Sequence, residues 1–397
     1  MKRLLVLAAG ILQTPVIRKA REMGYYVIAA DGDANAVGLK YADKCIVANI
    51  TDEKVMLEIA REEQIDGVIH PCSEVSMNVM GHINDSLGLS GISKLMALRA
   101  TNKHLMREAF EKYGAPSPQS YCTIDANEAW HLFCEKFDTN AILKPSRNSG
   151  SRGIAKIERY ISYEKFLELY ERAYNESRDK QVLIEQFIEG PEFSVEIIVW
   201  NNEVNVLAVT DKKTNGAPYF VELGHNQPSV FPKEIVEGVM AASVDGVKAL
   251  GLNNCACHAE IKVENGKSYI MEIGARLGGD FISTELTHLS TGIDMVAAAV
   301  NVALGIKPCL ESKDEKYGAC IRYFCPKPGQ LTSIKGLDLL DDNHIYSSEI
   351  YCKVGDEIRE VRSSLDRCGH IIVVDEQVSS AIELAECLIN KVIFETC

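Results

Sequence analysis

Short apolar runs alternate with amphipathic segments along the first hundred residues. The run RLLVLAAG has the character of a buried parallel strand, and the segment after it has the spacing of an amphipathic helix. The pattern predicts strands at residues 3–10, 25–31, 42–50 and 66–72 and helices at residues 14–24 and 52–64. Such alternation is typical of an open α/β sheet, whose ligands lie beyond the carboxyl ends of the strands.

The pattern changes from about residue 101 onward. An amphipathic helix is followed by longer strands, hairpin turns and a charged helix, and the last part combines short strands with a terminal helix. The segments predicted here are helices at residues 101–114, 161–177, 291–304 and 377–394, a strand at 140–146, two strands within 182–200, and a hairpin formed by CACHAEIKV and SYIMEIG. We therefore expect a mixed α/β and α+β protein with more than one domain.

Composition restricts the class of partner. The chain has 397 residues, of which 46% are hydrophobic and 25% charged, an ordinary globular balance. Its formal net charge of −14 argues against nucleic acid or an anionic membrane as the main partner. Because no run of 18 or more apolar residues occurs, we expect no membrane span.

The cysteines and the N-terminus favour a cytoplasmic protein. The 13 cysteines are scattered, without a CxxC pair, which suits reduced thiols better than a disulfide framework. Cys255, Cys257 and His258 form a tight cluster, but no further ligands with zinc spacing are evident, so we interpret it as strand packing. The apolar start of the chain stops at Gln13 and basic residues follow, unlike a signal peptide.

A dinucleotide site at the first strand is only weakly supported. The turn AAGILQTP contains one glycine, Gly10, and lacks the GxGxxG fingerprint. Asp31 ends the second strand, where it is either a turn residue or a substrate contact.

Lys144 ends an apolar strand and precedes a turn rich in serine and glycine. Glycines allow backbone N–H groups to approach phosphate oxygens, and serines add donors. The residues of this turn that could contact phosphate are Ser146, Ser149, Gly150, Ser151 and Gly153. The GxxxxGK[ST] pattern is absent, so this is not a Walker A loop; an ordinary surface loop is the alternative.

The segment LIEQFIEGPEF could bind a nucleotide base. A strand leads to Glu185, apolar Phe187 and Ile188 follow, and Glu192 comes after the Gly190 turn. Backbone groups can pair with the edge of adenine, and a carboxylate can accept hydrogen bonds from ribose hydroxyls. An ordinary hairpin is the alternative.

Two carboxylates are expected to face each other on one hairpin. Glu260 and Glu272 lie at nearly equal distances from the predicted turn at Asn265 and Gly266, so their side chains should share a face. Two such carboxylates repel unless one is protonated or a cation lies between them, and Mg²⁺ favours carboxylate and phosphate oxygens. Arg276 follows four residues later and could hold an anionic substrate with paired N–H groups.

Taken in order, these motifs resemble the ATP-grasp superfamily. The resemblance covers residues 1 to about 310 and includes an α/β domain before the ATP-grasp domain. The segments VELGHNQPS, HAEIKV and EIGARLGGD, with the tail from residue 311, look like the L-amino acid ligases, which make dipeptides. The implied domains are residues 1–100, the ATP-grasp domain 101–310 with a lid at about 115–190, and a C-terminal α+β domain 311–397.

The resemblance implies a role for each matched residue. ATP phosphates would be bound by Lys103, by Lys144 and by the loop that contains Ser149, Gly150, Ser151 and Gly153. Adenine would lie at Glu185, Phe187 and Ile188, and the ribose at Glu192. Glu260 and Glu272 would bind Mg²⁺ or Mn²⁺, Arg276 would hold the substrate carboxylate, and Glu222 and His225 would meet the amino-acid substrate.

The implied activity is ligation of a carboxylate and an amine, both small molecules, with ATP converted to ADP and phosphate. A homodimer also fits the resemblance. Gly274 departs from the pattern, because many superfamily members have a metal-binding Asn there. Two other classes stay open: a carboxylase-like or purine-pathway ligase, and a non-catalytic nucleotide-binding protein. Lys212 and Lys213 could aid the phosphates or form a solvated turn.

Overall fold

The N-terminal part is an open parallel sheet surrounded by helices. The structure is a computed structural model that describes residues 1–148, 152–312 and 315–397. The first hundred residues contain strands β1 (Arg3–Leu7), β2 (Tyr26–Asp31), β3 (Lys44–Val47) and β4 (Gly67–Ile69), and helices α1 (Thr14–Glu22), α2 (Glu53–Glu62), α3 (Met77–Leu87) and α4 (Lys94–Thr101). The strand order is β3–β2–β1–β4, with every pair parallel. The predicted open α/β sheet is confirmed.

The residues of β1 show why this sheet forms. Leu4, Leu5, Val6 and Leu7 are all fully buried, since helices cover both faces of the sheet. Beyond the carboxyl end of β4, the chain turns back through Cys72, whose φ is +58°. This turn carries the 71–76 loop away from the N-terminal sheet and toward the rest of the molecule.

A second four-stranded sheet has a hydrophobic core of its own. Helix α5 (Lys103–Tyr113) precedes it in the chain and belongs to a different core. The sheet consists of strands β5 (Ser120–Thr123), β6 (Ala141–Pro145), β7 (Ala155–Ile157) and β8 (Val182–Gln186) and packs against helices α6 (Ala126–Lys136) and α7 (Tyr163–Glu176). The antiparallel order is β5–β8–β6–β7, and we call it the lid sheet. Phe133 and Phe166 stack at 5.7 Å in its core, beside Trp130.

The central sheet has eight strands and joins two parts of the chain that the sequence treats as separate domains. The first of these two parts of the chain contains strands β9 (Glu192–Trp200), β10 (Glu203–Thr214), β11 (Glu222–Gln227), β12 (Cys255–Glu264) and β13 (Lys267–Gly274) of the sheet. It also contains helices α8 (Lys233–Leu250), α9 (Thr287–Thr291) and α10 (Met295–Ala303) and a π-helical turn (Ile282–Leu286). Cys255 and Cys257 are both buried in β12. The apolar face of this sheet packs against α8 and α5.

The C-terminal part extends the same sheet. It contains β14 (Gly318–Tyr323), β15 (Gly329–Lys335), β16 (Ile345–Ile350), β17 (Glu357–Ile358), β18 (Gly369–Asp375), α11 (Val378–Lys391), β19 (Ile393–Thr396) and 3₁₀ turns at Leu337–Asp341 and Ser364–Asp366. The central order is β13–β12–β9–β10–β11–β14–β18–β16, so β14 pairs directly with β11. A small sheet, β17–β15–β19, lies beside it. The C-terminal part is therefore joined to the part that precedes it by continuous backbone hydrogen bonds.

The β12–β13 hairpin brings the two predicted carboxylates together with the help of a register shift between Glu260 and Ile261. Asn265 and Gly266 form the turn with φ values of +51° and +77°, as a two-residue hairpin turn requires. Glu260 and Glu272 are direct cross-strand partners. The prediction that these carboxylates face each other is confirmed. Among the described residues, no helix is both long enough and apolar enough to cross a membrane.

Candidate active site

A cavity of about 690 Å³ lies between four parts of the chain. The lid sheet, the charged face of the central sheet, the 71–76 loop and the C-terminal segment 362–365 each contribute to its wall. The predicted site residues that line it are Lys103, Lys144, Phe187, Ile188, Glu192, Glu222, His225, Glu260, Glu272 and Arg276. The structure thus brings together residues that are up to 173 positions apart in the sequence, from Lys103 to Arg276.

One face of the central sheet supplies the floor of this cavity. Cross-strand partners share a face, and the register pairs Glu192 with Lys212, Lys212 with His225, and His258 with Glu196. Along β9, the polar residues Glu192, Ser194 and Glu196 alternate with apolar ones, so their side chains share the face that Lys212 and His225 occupy on β10 and β11.

Glu185 lies behind the cavity rather than in its wall. Its carboxylate is 0% exposed and accepts hydrogen bonds from Arg107 Nε at 2.7 Å and Nη2 at 3.2 Å, while Lys144 Nζ lies 2.9 Å from Oε2. Burial would raise the pKa of this carboxyl, but the charges and hydrogen bonds of Arg107 and Lys144 lower it to about 2. Glu185 is thus placed to orient Lys144, which does line the cavity.

Phe187 and Ile188 form the cavity wall next to Lys144. Lys262 Nζ donates to the Ile188 carbonyl oxygen at 2.8 Å, and Lys156 and Lys262 lie 4.7 and 5.2 Å from the centre of the Phe187 ring. Glu192 accepts a hydrogen bond from Lys212 Nζ at 2.6 Å. An apolar wall with a flanking carboxylate suits a nucleoside.

The predicted phosphate loop is described only at its ends. Ser149, Gly150 and Ser151 lie outside the described residues. Gly153 has a φ of +76°, and a Cβ there would lie 2.8 Å from side-chain atoms of Pro145 and Glu176, so the position requires glycine. Asn148 and Arg152 line the cavity, whereas Gly153 does not.

Each carboxylate of the predicted metal pair meets a lysine. Lys212 Nζ lies 3.2 Å from Glu260 Oε1, and Lys103 Nζ lies 3.0 Å from Glu272 Oε2. Burial alone would raise the pKa of Glu260, but Lys212 and then His258 hold it well below its usual range. Glu260 is therefore ionised and available to a cation. No cluster of three or more His, Cys, Asp or Glu side chains suited to a metal occurs in the described part of the chain.

His258 is held from behind by buried residues that the sequence did not single out. Its Nδ1 bonds to Glu196, which is fully buried and is also hydrogen bonded to Ser283 Oγ. Burial would lower the pKa of His258, but Glu196 raises it to about 9. The packing role expected for His258 was incomplete, because its ring also lines the cavity.

Glu74 is a site residue that sequence reasoning missed. The 71–76 loop places its carboxylate 3.6 Å from Arg276 Nη2 and beside Glu272. Burial first, and then the charge of Glu272, raise the pKa of Glu74 to about 7. Only its place just beyond the carboxyl end of β4 could have indicated it.

Arg276 faces the cavity with part of its guanidinium unused. Nη1 donates to the Leu277 carbonyl at 3.1 Å, whereas Nε is buried and has no hydrogen-bond partner among the described residues. A Cβ at Gly274 would lie 3.1 Å from the Arg276 side chain. A side chain at position 274 would therefore require the arginine side chain to shift by a few tenths of an ångström.

Glu222 and His225 lie on β11, next to residues of the C-terminal part. His225 Nε2 is 3.4 Å from Asp280 Oδ2, and Arg367 binds both oxygens of Asp280 at 2.7 and 2.8 Å. Ser364 Oγ lies 3.4 Å from Glu222 Oε2. Asp280 and Arg367 were not predicted, since their contact depends on the pairing of β11 with β14.

Comparison with protein families agrees with this arrangement. The family model described as ATP-grasp domain matches residues 137–285, and the model described as L-amino acid ligase C-terminal domain 2 matches residues 322–396. The chain carries an ATP-grasp domain followed by an L-amino acid ligase C-terminal domain. The resemblance drawn from the sequence motifs is confirmed.

Characterised relatives are ligases of low sequence identity. Alanine–anticapsin ligase of Bacillus subtilis (strain 168) is 26% identical over 276 residues, which cover 64% of this chain and 58% of that protein. Dapdiamide A synthase of Enterobacter agglomerans is 25% identical over 316 residues, which cover 76% and 73%. This ATP-grasp chain thus spans about three fifths of the length of alanine–anticapsin ligase.

Solved structures confirm the ATP-grasp fold over the whole chain. The L-amino acid ligase from Bacillus licheniformis has a TM-score of 0.84 at 19% identity and covers 100% of this chain and 99% of its own. Phosphoribosylglycinamide synthetase from Anaerococcus prevotii has a TM-score of 0.80 at 25% identity and covers 100% of both chains.

The buried contacts of Glu185 generate a stability prediction. Glu185→Gln should lower the free energy of unfolding by about 3–5 kcal/mol, because Arg107 and Lys144 keep buried charges without a carboxylate. Since the pKa of Glu185 is lowered to about 2 from 4.5, its contribution is complete above the higher value and is lost only as the pH falls toward the lower one. The loss of unfolding free energy in Glu185→Gln, relative to the wild type, should therefore be equal at about pH 8 and about pH 5.

Urea unfolding at both pH values measures this deficit. Glu168→Gln is the control, because Glu168 forms an exposed pair with Lys165 and its loss should change stability by less than about 1 kcal/mol. Equal stability of the two variants would show that the buried network contributes nothing specific.

Proposed function

We propose that this chain is an ATP-dependent ligase that activates a carboxylate as an acyl-phosphate and joins it to an amine, with two amino acids as the substrates. The observation that carries the proposal is that Lys103, Lys144, a pair of facing carboxylates and Arg276 all line the same cavity. The family matches support it, since the chain has both an ATP-grasp domain and a C-terminal domain of the amino-acid ligase type.

ATP would lie between the lid sheet and the charged face of the central sheet. Phe187 and Ile188 offer an apolar wall and backbone groups for adenine, and Glu192 offers a carboxylate for the ribose. Lys103 and Lys144 extend toward the space where the phosphates would lie, and the loop around Ser149, Gly150 and Ser151 would cover them. Glu185 would act through Lys144, whose ammonium it holds at 2.9 Å.

The residues present fit a Mg²⁺ ion. Glu260 and Glu272 face each other across one strand pair and both line the cavity, so they offer carboxylate oxygens of the kind that Mg²⁺ prefers. Two protein carboxylates suffice when phosphate oxygens and water complete the octahedron. When bound, the ion would neutralise phosphate charge that develops during transfer.

The chain's own residues would then carry out two steps. Arg276, with its unused Nε, would hold the substrate carboxylate so that one oxygen attacks the γ-phosphate. ADP leaves, and the lysines stabilise the charge that accumulates on the phosphates. An amine held near Glu222 and His225 then attacks the acyl carbon, and phosphate leaves. Enclosure by the lid sheet would limit hydrolysis of the intermediate.

A purine-type ligase is the second candidate. The structural likeness to phosphoribosylglycinamide synthetase, at 25% identity over the whole chain, favours it. The C-terminal match to amino-acid ligases favours the first proposal, because residues 362–365 of that domain line the cavity. A non-catalytic nucleotide-binding protein has no need of the facing carboxylates or of Arg276. Two further parts of the proposal are a homodimer, which rests on the resemblance, and a place in the cytoplasm, which rests on the scattered cysteines.

The product nucleotide tests the proposed chemistry. Attack of a carboxylate on the γ-phosphate should yield ADP and phosphate in equal amounts, and only when both a carboxylate and an amine substrate are present. Chromatography of the nucleotides, with a screen of amino-acid pairs for phosphate release, measures this. AMP and pyrophosphate as products would contradict the acyl-phosphate route.

A second prediction concerns the metal carboxylates. Glu272→Gln and Glu260→Gln should each weaken Mn²⁺ binding in the presence of ADP by about tenfold or more, since each removes a charged oxygen ligand. Electron paramagnetic resonance of free Mn²⁺ measures the affinity without reference to turnover. Glu203→Gln, an exposed change at the β9–β10 turn, is the control. Unchanged Mn²⁺ affinity in both site variants would show that the pair is structural.

A third prediction separates the substrate site from the ATP site. Arg276→Lys should reduce ligation by about 100-fold or more, because a lysine cannot form the two-point bond to a carboxylate. ATP affinity, measured by calorimetry, should stay within about threefold of the wild type. Arg61→Lys, on the exposed side of α2, is the matched control. Loss of ATP binding in Arg276→Lys would instead place the arginine in the nucleotide site.

A further inference from the structure

His225 is the residue at the amine end of the cavity with an unused polar atom. It lies on β11, and its ring is only 1% exposed although the residue lines the cavity. Its Nδ1 is buried and has no hydrogen-bond partner among the described residues. A buried ring nitrogen without a partner is unfavourable, and a bound ligand could supply the missing hydrogen bond.

The contact on the other side of the ring determines which nitrogen carries the proton. Nε2 lies 3.4 Å from Asp280 Oδ2. Burial by itself would raise the pKa of Asp280, but the hydrogen bonds and charge of Arg367 and the contact with His225 hold it well below its usual range. Asp280 is therefore an ionised carboxylate that can only accept, so Nε2 must carry the hydrogen. In the neutral ring, Nδ1 is then an acceptor.

Arg367 fixes this arrangement from the C-terminal part of the chain. Its guanidinium binds both oxygens of Asp280, stacks 3.6 Å from the centre of the Tyr323 ring, and donates to the Glu222 carbonyl oxygen at 3.3 Å. One arginine thus braces both Asp280 and the start of β11. Lys212 is the cross-strand neighbour of His225, and Arg322 Nη1 contacts its backbone oxygen at 3.3 Å.

We propose that His225 is the base that takes a proton from the attacking amine at Nδ1, and that Asp280 and Arg367 are the residues that position it. This inference rests on the proposed ligase function. The amine lone pair forms the new C–N bond, the acyl C–O bond breaks, and phosphate leaves with that electron pair. The proton lost from nitrogen passes to Nδ1 and then to solvent, while Nε2–H stays bonded to Asp280.

Hydroxylamine separates this role from the activation of the carboxylate. It is largely unprotonated near neutral pH and traps an acyl-phosphate as a hydroxamate without a basic group on the enzyme. In His225→Ala, amide formation should fall by at least about 100-fold and in Asp280→Asn by at least about 10-fold. Hydroxamate formation should stay within about threefold of the wild type in both variants.

Two further variants keep the test decisive. Arg367→Lys retains a charge beside Asp280 but lacks the two-point bond, so it should slow amide formation to a smaller extent and leave hydroxamate formation unchanged. This variant replaces Asp280→Asn in the test if Asp280→Asn does not fold. Glu395→Gln, at an exposed ion pair with Lys335 in the C-terminal part, should change neither rate. Thermal unfolding of each variant identifies losses that are due to instability.

The outcomes distinguish the two proposals. Absence of hydroxamate and ADP with the wild-type protein would overturn the ligase function itself. Hydroxamate from the wild type, with both reactions slowed equally in His225→Ala and Asp280→Asn, would overturn the base assignment and leave the ligase function standing. Unchanged amide formation in His225→Ala would also overturn the assignment of His225 as the base.

Discussion

The burial of charged residues on one face of the central sheet is the constraint on which the rest of the structure depends. A buried charge is tolerated only when groups of opposite charge or several hydrogen bonds compensate for the water it loses. Lys212 is such a buried charge, and three partly exposed carboxylates compensate for it, since its ammonium lies 2.6 Å from Glu192, 3.2 Å from Glu260 and 3.6 Å from Glu222. These carboxylates belong to the ribose, metal and amino-acid ends of the proposed site. One side chain therefore couples all three.

The opposite face of the same strands meets a different requirement. Phe193, Val195 and Ile197 alternate with the charged residues of β9 and are fully buried beneath α8 and α5. Gly246 in α8 allows this close approach, since a Cβ there would lie 2.5 Å from Ile273. Successive side chains of a strand point to opposite faces, so the charged side chains of the site and the apolar side chains of the core are kept apart. A shift of the strand register by one residue would exchange the two sets. The firm apolar packing thus fixes the geometry of the charged floor.

Local rules account for what the sequence predicted correctly. The turn residues Asn265 and Gly266 set the register that pairs Ile261 with Ile270, and a register shift next to Glu260 then places Glu260 opposite Glu272. Apolar runs marked the buried strands of the N-terminal sheet. The residues that escaped prediction depend on contacts between distant segments. Glu74 reaches the site through the 71–76 loop, and Arg367 reaches Asp280 because β14 pairs with β11.

Glu185 shows a different limit of sequence reasoning. Its position in the motif was recognisable, but its contacts with Arg107 and Lys144 in the structure without a nucleotide were not. Whether a charged side chain faces a ligand or another side chain depends on which partner the fold brings within about 3 Å, and strand patterns specify only the face. Direct contact of Glu185 with adenine therefore stays a prediction.

In the structure without a ligand, two lysines contact the proposed metal carboxylates, and these contacts indicate how MgATP would enter the site. Lys103 and Lys212 lie on Glu272 and Glu260, the two carboxylates proposed to hold the ion. A divalent cation attracts both carboxylates more strongly than an ammonium does, and phosphate oxygens attract the lysines in turn. Glu260 and Glu272 would then hold the ion, and Lys103 and Lys212 would be free to bind phosphate oxygens. Before the nucleotide arrives, each of these lysines and carboxylates has a partner of opposite charge, so the charged site is stable without a ligand.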